Sequence, residues 1–434
     1  MAEGKPLRKV TYRLSPSRTQ ATALLALLVH HQQLYNAGLE QRIDAYRRRG
    51  VSLSYEDQCR ELTALRADIP AWAGANCSSQ QITLRRLDKA MKAFFRRVAK
   101  GQAAGFPRFK ALTRFPFKSH GDGWRFTPGT GWQHGKLRLQ GIGVITARGQ
   151  ARPGSVAAGA VIKPCELMHS EDANGKAVWH LSLTIECVAI RREAGVSARA
   201  FDWGVDSFLT TAVYTGAGTA GAIASESETD ANPRWYQSEK DRLTGLQQAV
   251  SRTKRGSNSR RKAVRRFARA KARAARRRHD WQHKLSASMV AVSAVIATEQ
   301  LSVKNMTRSA TGTAEAPGKR VQQKAGLNRE ILDTAPSAFL AKVRTKAEDA
   351  GCVYLQAPTR TLKPSQTCPA CGAVKRKSLS DRVHVCAACG HTEPRDAAAA
   401  RVILAWALRA VARVDGKRPV RDERMTGPER AEAG

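Results

Sequence analysis

Two Cys-x-x-Cys pairs, separated by fourteen residues, place the strongest constraint on what this chain can fold into. The four residues are Cys368, Cys371, Cys386 and Cys389. Each pair can direct two thiolates at one ion from a tight turn, and two pairs supply the four soft ligands that tetrahedral zinc prefers. Gly372 and Gly390 follow the pairs, where such a turn benefits from glycine. The pattern predicts a structural zinc site with no open position, for which His384 and His391 are competing ligands.

The charge of the chain predicts a polyanionic partner. Lys and Arg number 74 against 36 Asp plus Glu, which gives a formal net charge of +38 over 434 residues. Counterion release favours nucleic acid as the partner of such a protein. Four of the nine cysteines are clustered, which indicates a metal site in a reducing compartment. No apolar run reaches the ~18–20 residues of a membrane helix. We therefore expect a cytoplasmic nucleic-acid-binding protein with no membrane partner.

The periodicity predicts an α+β, multidomain and bilobed protein. The first part alternates like short strands around a helical insertion, which indicates a β-barrel or sandwich, and the second alternates strands with long helices. The predicted parts are a β-barrel domain (1–18 and 105–195), a helical lobe (19–104), an α/β domain (196–366 and 391–414), the cysteine-rich insertion (367–390) and a flexible tail (415–434). Within the α/β domain we expect a basic helix over 259–284 and a polar, lid-like segment over 308–326.

Three acidic residues stand in unusual sequence contexts. Asp202 interrupts an apolar strand, Glu299 ends another, and Asp396 opens an apolar helix. A carboxylate on a buried strand is costly unless it is paired or binds a cation. If the three converge, they can hold two Mg²⁺ (or Mn²⁺) ions for phosphodiester hydrolysis. The pattern alone leaves open that Asp396 is only a helix cap and Glu299 only a solvated strand end.

Basic side chains are concentrated in the segment 252–284, which has fifteen Lys or Arg and a single acid, Asp280. Unrelieved repulsion along a helix requires counter-charge, which a phosphate backbone supplies, although a solvated helix face is the alternative. The predicted nucleic-acid-binding residues are Arg260, Arg261, Lys262, Arg265, Arg266, Arg269, Lys271, Arg273, Arg276, Arg277 and Arg278, together with Arg96 and Arg97 on an earlier helix.

Taken together, the motifs resemble those of one family, the TnpB-type transposon nucleases and the miniature type V CRISPR effectors derived from them. The segments that carry the resemblance in the second half are FDWGVDSFLTTAV (201–213), RRHDWQHKLS (277–286), IATEQLSVKNM (296–306), GLNREILD (326–333), PSQTCPACGAVKRKSLSDR (364–382) and VCAACGHTEPRDAAAA (385–400). Weaker matches in the first half are TYRLSPSRTQ (11–20), LYNAGL (34–39) and FFRRVAKGQAAGFPRFK (94–110).

The resemblance implies an RNA-guided DNA endonuclease with an RNase H-like RuvC domain. It gives Asp202, Glu299 and Asp396 the role of the metal-binding triad, and the four cysteines that of a zinc-binding target-nucleic-acid-binding insertion. It makes the barrel a wedge domain and the helical lobe a recognition lobe. The implied partners are a guide RNA, double-stranded target DNA beside a short flanking motif, and the RNA–DNA heteroduplex of an R-loop. A single site would cut both strands.

The sequence also departs from the family pattern. Ala398 and Val402 stand where asparagines are usual, Gln300 where Asp is usual, and Trp203 where a small aliphatic residue is usual. This drift favours a CRISPR effector over a transposon-encoded nuclease, and the triad is intact.

Two further classes compete with the guided nuclease. One is a guide-free RNase H-like nuclease or resolvase, and the other is a guided binding protein that does not cut. The sequence leaves the oligomeric state open between monomer and dimer.

Overall fold

The computed structural model describes residues 7–149, 156, 160–172, 176–186, 195–215, 227–313, 315–378 and 381–414. The chain divides into two compact units, Met1–Ile190 and Arg191–Gly434. The tail predicted over 415–434 lies outside the described residues. Within them, no helix is both long and apolar enough to cross a membrane.

The first unit contains one antiparallel sheet and a set of helices. Its described strands are β1 (Leu7–Ser15), β2 (Arg114–Phe117), β3 (Trp124–Pro128), β4 (His134–Leu139), β5 (Gly143–Arg148), β6 (Val161–Glu171) and β7 (Ala177–Glu186). Its described helices are α1 (Arg18–Arg49), α2 (Tyr55–Asp68), α3 (Pro70–Ala73) and α4 (Cys77–Ala99), with a 3-10 turn at Thr130–Trp132.

Strand β1 occupies the middle of this sheet, whose order is β2-β6-β7-β1-β5-β4-β3. Alternate residues of β1 are buried, as period-two patterning predicts for a strand with one face on a core. The chain leaves the sheet after β1, forms the helices and returns at β2, so the helices are an insertion in the order of the strands. Both end strands contribute to one core, through Phe115 of β2 and Trp124 of β3. Closure into a barrel stays a prediction.

Helices α1 and α4 pack closely because small and apolar residues meet between them. A Cβ placed on Gly38 of α1 would lie 3.1 Å from the side chain of Leu84 and 3.3 Å from that of Leu87, both on α4. A buried ion pair, Arg42 to Asp88 at 3.3 Å, connects the same two helices. The close contact explains why a glycine stands at position 38, in the middle of α1.

The second unit is an α/β structure with a small cysteine-rich hairpin. Its described strands are β8 (Ser197–Trp203), β9 (Ser207–Tyr214), β10 (Ser227–Ala231), β11 (Ser293–Glu299), β12 (Val353–Ala357), β13 (Val383–Val385) and β14 (Thr392–Pro394). Its described helices are α5 (Lys240–Ser251), α6 (Asn258–Ala291), α7 (Val303–Met306), α8 (Val321–Thr334), α9 (Pro336–Ala350), α10 (Thr359–Leu362) and α11 (Arg395–Val414), with a 3-10 turn at Gln237–Glu239.

The main sheet of this unit has the RNase H-like topology that the family resemblance implies. Its order is β10-β9-β8-β11-β12. The first three strands form antiparallel hairpins, and β11 runs parallel to both β8 and β12. Strands β13 and β14 form a separate hairpin at the cysteine-rich insertion.

The two faces of this sheet have different cores. Phe201 and Ile296 belong to an aromatic and aliphatic cluster with residues of α6 and α9. Ala200 and Ala297 belong to the other cluster, together with Ile403 and other residues of α11. Small residues on the second face allow α11 to lie close to the strands, which brings its first turn near the sheet.

Two sequence-based boundaries differ from those in the structure, that of the basic helix and that of the segment 308–326. The basic helix is longer than predicted and spans Asn258–Ala291. The segment 308–326 was expected to lack regular structure, but its last six residues begin α8. Asn328 of α8 donates to the carbonyl of Thr307 at 3.0 Å, a contact that local sequence does not reveal. A lid role for this segment stays a prediction.

Candidate metal centres

The strand register brings Asp202 and Glu299 side by side. Asp202 lies on β8 and Glu299 is the last residue of β11, the parallel neighbour of β8. Ala297 pairs with Ala200, so Glu299 comes level with Asp202. Side chains alternate along a strand, and both alanines pack against α11. The two carboxylates therefore share the face covered by α11, whose first turn contains Asp396.

The electrostatics show that the three acids form one group. Burial raises the pKa of Asp202 well above its ordinary value, and the negative charges of Glu299 and Asp396 raise it further, against the opposing charge of Arg395. Burial also raises the pKa of Glu299, as does Asp396, while a hydrogen bond with Asp202 lowers it. Neighbouring acids raise one another's pKa because their negative charges repel, and such a group is typical of a site that binds a cation.

The donor chemistry of this carboxylate centre fits a hard divalent cation. Carboxylate oxygens are the ligands that Mg²⁺ and Mn²⁺ prefer. Among the described residues, the four cysteines are the one group of metal-ligating side chains that already converges tightly.

The four cysteines converge as their spacing predicts. Their sulfur atoms all lie within 4.8 Å of one another. Cys368 Sγ lies 3.7 Å from Cys389 Sγ, and Cys371 Sγ lies 3.6 Å from Cys386 Sγ. Four sulfurs at the usual Zn–S distance of ~2.3 Å in a tetrahedron are separated by about 3.8 Å. The thiols therefore fit a zinc ion with little rearrangement, and neither nearby histidine belongs to the group.

Two similar turns carry these cysteines. Gly372 donates its N–H to the carbonyl of Cys368 at 3.0 Å, and Gly390 donates to that of Cys386 at 2.9 Å. Both glycines have positive φ, 76° and 71°, which residues with a Cβ adopt at a cost. Backbone N–H groups, first that of Cys389, lower the pKa of Cys386 to about 6. The turns thus favour a thiolate at that position.

Several contacts connect the cysteine hairpin to the carboxylate centre, and sequence reasoning missed them. Strand β14 runs directly into α11, and Arg395 donates its N–H to the carbonyl of Arg382 at 2.9 Å. The side chain of Arg382 reaches Asp206, after β8, at 2.8 Å. Arg401 of α11 lies 3.3 Å from Glu393 of β14. The pair of Arg382 and Asp206 joins residues far apart in sequence, so no local pattern identifies it.

The basic helix presents most of its predicted residues to solvent. Nine of the eleven are exposed: Arg261, Lys262, Arg265, Arg266, Arg269, Lys271, Arg273, Arg276 and Arg277. Ala270 and Ala274, which lie among them in the sequence, are buried. We call the nine exposed residues the basic face of α6.

Other residues predicted for nucleic acid make contacts within the protein. Arg260 donates to the carbonyls of Val250 and Thr253, at 2.8 and 3.0 Å, and so caps the end of α5. Arg278 pairs with the buried Asp333 at 3.4 Å. These two residues have intramolecular roles that the charge count could not reveal.

Three more of the predicted residues differ in their surroundings. Arg277 is exposed but lies 3.5 Å from Glu239. Arg97 donates to the carbonyl of Gly105 at 3.3 Å, while Arg96 is exposed.

Family models match three parts of the chain. One described as "Probable transposase" (OrfB of IS605) matches residues 182–310, and one described as the TNB domain of Cas12f1-like proteins matches 337–403. A third, described as a helix-turn-helix domain, matches 6–50. In this structure the described part of that last range is β1 followed by the single helix α1.

Two curated proteins are similar over most of their length. A "Putative RNA-guided DNA endonuclease" of Streptomyces pristinaespiralis is 30% identical over 98% of both chains. "Putative RNA-guided DNA endonuclease InsQ" of Escherichia coli is 28% identical over 79% of this chain and 78% of that protein. The protein is thus of the OrfB class with an RNase H-like domain. It belongs to the TnpB-type nuclease family that the motifs predicted.

Solved structures show the same fold at low sequence identity. A chain of the Cas12f1–sgRNA–target DNA complex matches with a TM-score of 0.59 at 11% identity, over 93% of this chain and 99% of that one. The mini-RNA-guided endonuclease CRISPR-Cas_phi3 matches with a TM-score of 0.51 at 9% identity, over 98% and 94%. The predicted α+β fold class is confirmed.

Proposed function

We propose that this protein is an RNA-guided DNA endonuclease that cuts both strands of its target at the carboxylate centre. The observation that carries the proposal is the meeting of Asp202, Glu299 and Asp396 on one face of an RNase H-like sheet. The two curated relatives, which bear the name of such an enzyme, add support.

Each acid has a distinct position in the proposed mechanism. Asp202 is central, because both other acids act on its carboxyl group. Together with Glu299 and Asp396 it would hold the Mg²⁺ (or Mn²⁺) ions. When bound, such ions activate a water molecule and neutralise charge on the scissile phosphate. Arg395, whose Nε lies 3.4 Å from Asp396 Oδ1, opposes the negative charge at Asp202.

The remaining sites supply binding and not chemistry. We propose that the four thiols hold a structural zinc ion, since four protein ligands leave no open position. The basic face of α6 and Arg96 would contact phosphates of the guide RNA and of the RNA–DNA heteroduplex. Sequence would be read by base pairing, and a short flanking motif in double-stranded DNA by the protein, before R-loop formation. We propose that the protein acts in the prokaryotic cytoplasm, at the nucleoid during targeting.

Between the two origins, we propose a transposon-encoded nuclease. The IS605 OrfB model and the InsQ relative favour it. The likeness to Cas12f1 favours a miniature CRISPR effector, but at 11% identity it concerns the fold alone. A CRISPR repeat array beside the gene would reverse the choice, and transposon ends on either side would support it.

The first experiment identifies the guide. The protein is expressed with its native genomic flanks, treated with nuclease, and the protected RNA is sequenced. A single species with a constant scaffold and a variable end is expected. A broad, sequence-independent mixture would instead favour the guide-free nuclease, because a net charge of +38 alone can collect RNA.

The second experiment tests the carboxylate centre with the guide in hand. Asp202→Ala should abolish cleavage of a matched DNA target and leave the dissociation constant for guide RNA within about twofold, since it removes a metal ligand and no basic residue. Asp241→Ala, an exposed acid on α5, is the matched control and should cleave normally. Cleavage by Asp202→Ala at the normal rate would sink the assignment.

A further inference from the structure

The first unit contains a pocket that none of the predicted sites includes. It lies between α1, α4 and the segment that enters β2, and its volume is about 290 Å³. Tyr35, Thr83, Arg86, Lys110 and Arg114 are among its lining residues, and we call it the basic pocket. At ~30 Å³ per water molecule it has room for roughly ten waters. That size suits one phosphate group with its sugar.

Positive charge is in excess at this pocket. Arg86 and Arg114 share one carboxylate, that of Glu166, and Arg114 lies 3.6 Å from it. Lys110 has no carboxylate partner among the described residues, and its Nζ lies 4.8 Å from the centre of the Tyr35 ring. Three cations therefore face one anion. Burial lowers the pKa of the neighbouring His31 to about 3, so that ring stays neutral and adds no charge.

An unsatisfied hydroxyl group belongs to Tyr35, one of the residues that line this pocket. Tyr35 is only 3% exposed, and its hydroxyl has no hydrogen-bond partner among the described residues. A buried donor left without an acceptor costs about 1–3 kcal/mol. An anion with several acceptor oxygens would satisfy the hydroxyl and the excess guanidinium and ammonium charge at once.

The wall of the pocket is fixed before any ligand binds. Asn36 of α1 holds both backbone groups of Lys110, with its Oδ1 2.9 Å from the N–H and its Nδ2 3.1 Å from the carbonyl. Gln32 accepts the N–H of Leu112 at 3.1 Å. Thr83 Oγ1 lies 2.8 Å from Nδ1 of His31, which fixes the opposite wall. A wall fixed in this way lowers the entropic cost of binding.

We propose that the basic pocket binds a phosphate group of a nucleotide. The fork of an arginine matches two phosphate oxygens, Lys110 supplies a second charge, and the Tyr35 hydroxyl donates to a further oxygen. The phosphate could belong to a nucleic-acid backbone or to a free nucleotide, and the chemistry is the same. The proposal involves none of the carboxylates, so its failure and that of the proposed function are separate results.

Tyr35→Phe and Lys110→Gln test the proposal in the full-length protein. Tyr35→Phe removes only the unpaired hydroxyl, so it should fold with an unchanged or higher melting temperature. Calorimetric titration at constant ionic strength uses three probes: inorganic phosphate, uridine monophosphate and a five-nucleotide RNA. Each variant should weaken binding about tenfold. Tyr46→Phe, an exposed tyrosine on α1, and Lys118→Gln, an exposed lysine after β2, are the matched controls and should bind normally.

The three probes distinguish the source of the phosphate. If the variants weaken the binding of the oligonucleotide while phosphate and uridine monophosphate bind too weakly to measure, the pocket takes a backbone phosphodiester. If they weaken saturable binding of phosphate and uridine monophosphate, it takes a free nucleotide. Equal affinity of wild type, Tyr35→Phe and Lys110→Gln for all three probes overturns the proposal.

Discussion

Asp202 shows how a single residue can be costly to the fold and still be required. It lies on a strand whose other side chains on that face are alanines packed against α11, and two further acids surround it. Its raised pKa means that the folded protein keeps a proton that the unfolded chain loses as pH passes about 4. The stability of the metal-free protein should therefore fall as pH rises above that value.

We expect Asp202→Asn to stabilise the metal-free protein while it removes the response to magnesium. Asparagine keeps the shape and cannot ionise, so it removes the cost of holding an acid in this buried site beside two others, which is on the order of 1–3 kcal/mol. In chelator at neutral pH, the melting temperature of the second unit should rise by roughly 2–6 °C. Added Mg²⁺ should raise that of wild type by mass action and leave that of the variant nearly unchanged.

Calorimetry with Asp241→Asn provides the comparison for this prediction. That acid is exposed on α5, so its loss should change neither the stability in chelator nor the magnesium response. A normal magnesium response of Asp202→Asn would show that the cation binds elsewhere. The sequence could single out Asp202, because an acid interrupts an apolar strand, but only the register with β11 shows that Glu299 is its neighbour.

Among the elements, the hairpin of β13 and β14 connects the two metal centres. β14 ends at Pro394, and Asp396 follows in the first turn of α11. The hydrogen bond from Arg395 to Arg382 and the pair of Arg401 with Glu393 fix this junction. A zinc ion on the four thiols would thus help to hold the position of Asp396.

We expect Cys386→Ser to disturb the carboxylate centre from a distance. Loss of one of four thiolates should reduce zinc content from about one ion per chain to near zero. Because β14 leads into α11, the magnesium-induced rise in melting temperature should also become smaller. Metal analysis and calorimetry measure the two effects. Cys59→Ser, outside the cluster, should retain both the zinc and the magnesium response. A full magnesium response of Cys386→Ser without zinc would show that the carboxylate centre does not depend on the zinc site.

Over the whole molecule, the basic side chains that give the net charge of +38 are unevenly distributed along the chain and differ in their surroundings. Part of it is used internally: Arg278 pairs with Asp333, and Arg260 caps α5. The nine residues of the basic face of α6, by contrast, are exposed to solvent. A charge count therefore predicts a nucleic-acid partner but overstates how many residues can contact it.

We expect single substitutions on the basic face to reduce RNA affinity in a salt-dependent way. Lys262→Gln, Arg266→Gln and Arg273→Gln should each lower the slope of log affinity against log salt by about one, without a change in melting temperature. Arg278→Gln should instead lower the melting temperature, because it leaves Asp333 buried without its ion pair. Filter binding from low to moderate salt measures the slope. Lys240→Gln on α5 is the control. If all three variants have the same slope as wild type, the basic face of α6 contacts solvent and not RNA.

The sequence by itself determined the features that depend on local spacing. The zinc ligands follow from two close pairs, the strand that carries Asp202 from its apolar pattern, and the basic helix from its composition. Each rests on residues within a few positions of one another, where periodicity and ligand spacing act directly.

Only the tertiary structure decided which distant residues meet. The register of β8 and β11 brings Glu299 level with Asp202, and close packing of α11 on alanines brings in Asp396. The contacts of Arg382 and the basic pocket around Tyr35 likewise join residues far apart in the chain. Such meetings depend on the global packing of elements, for which a single sequence has no local signal.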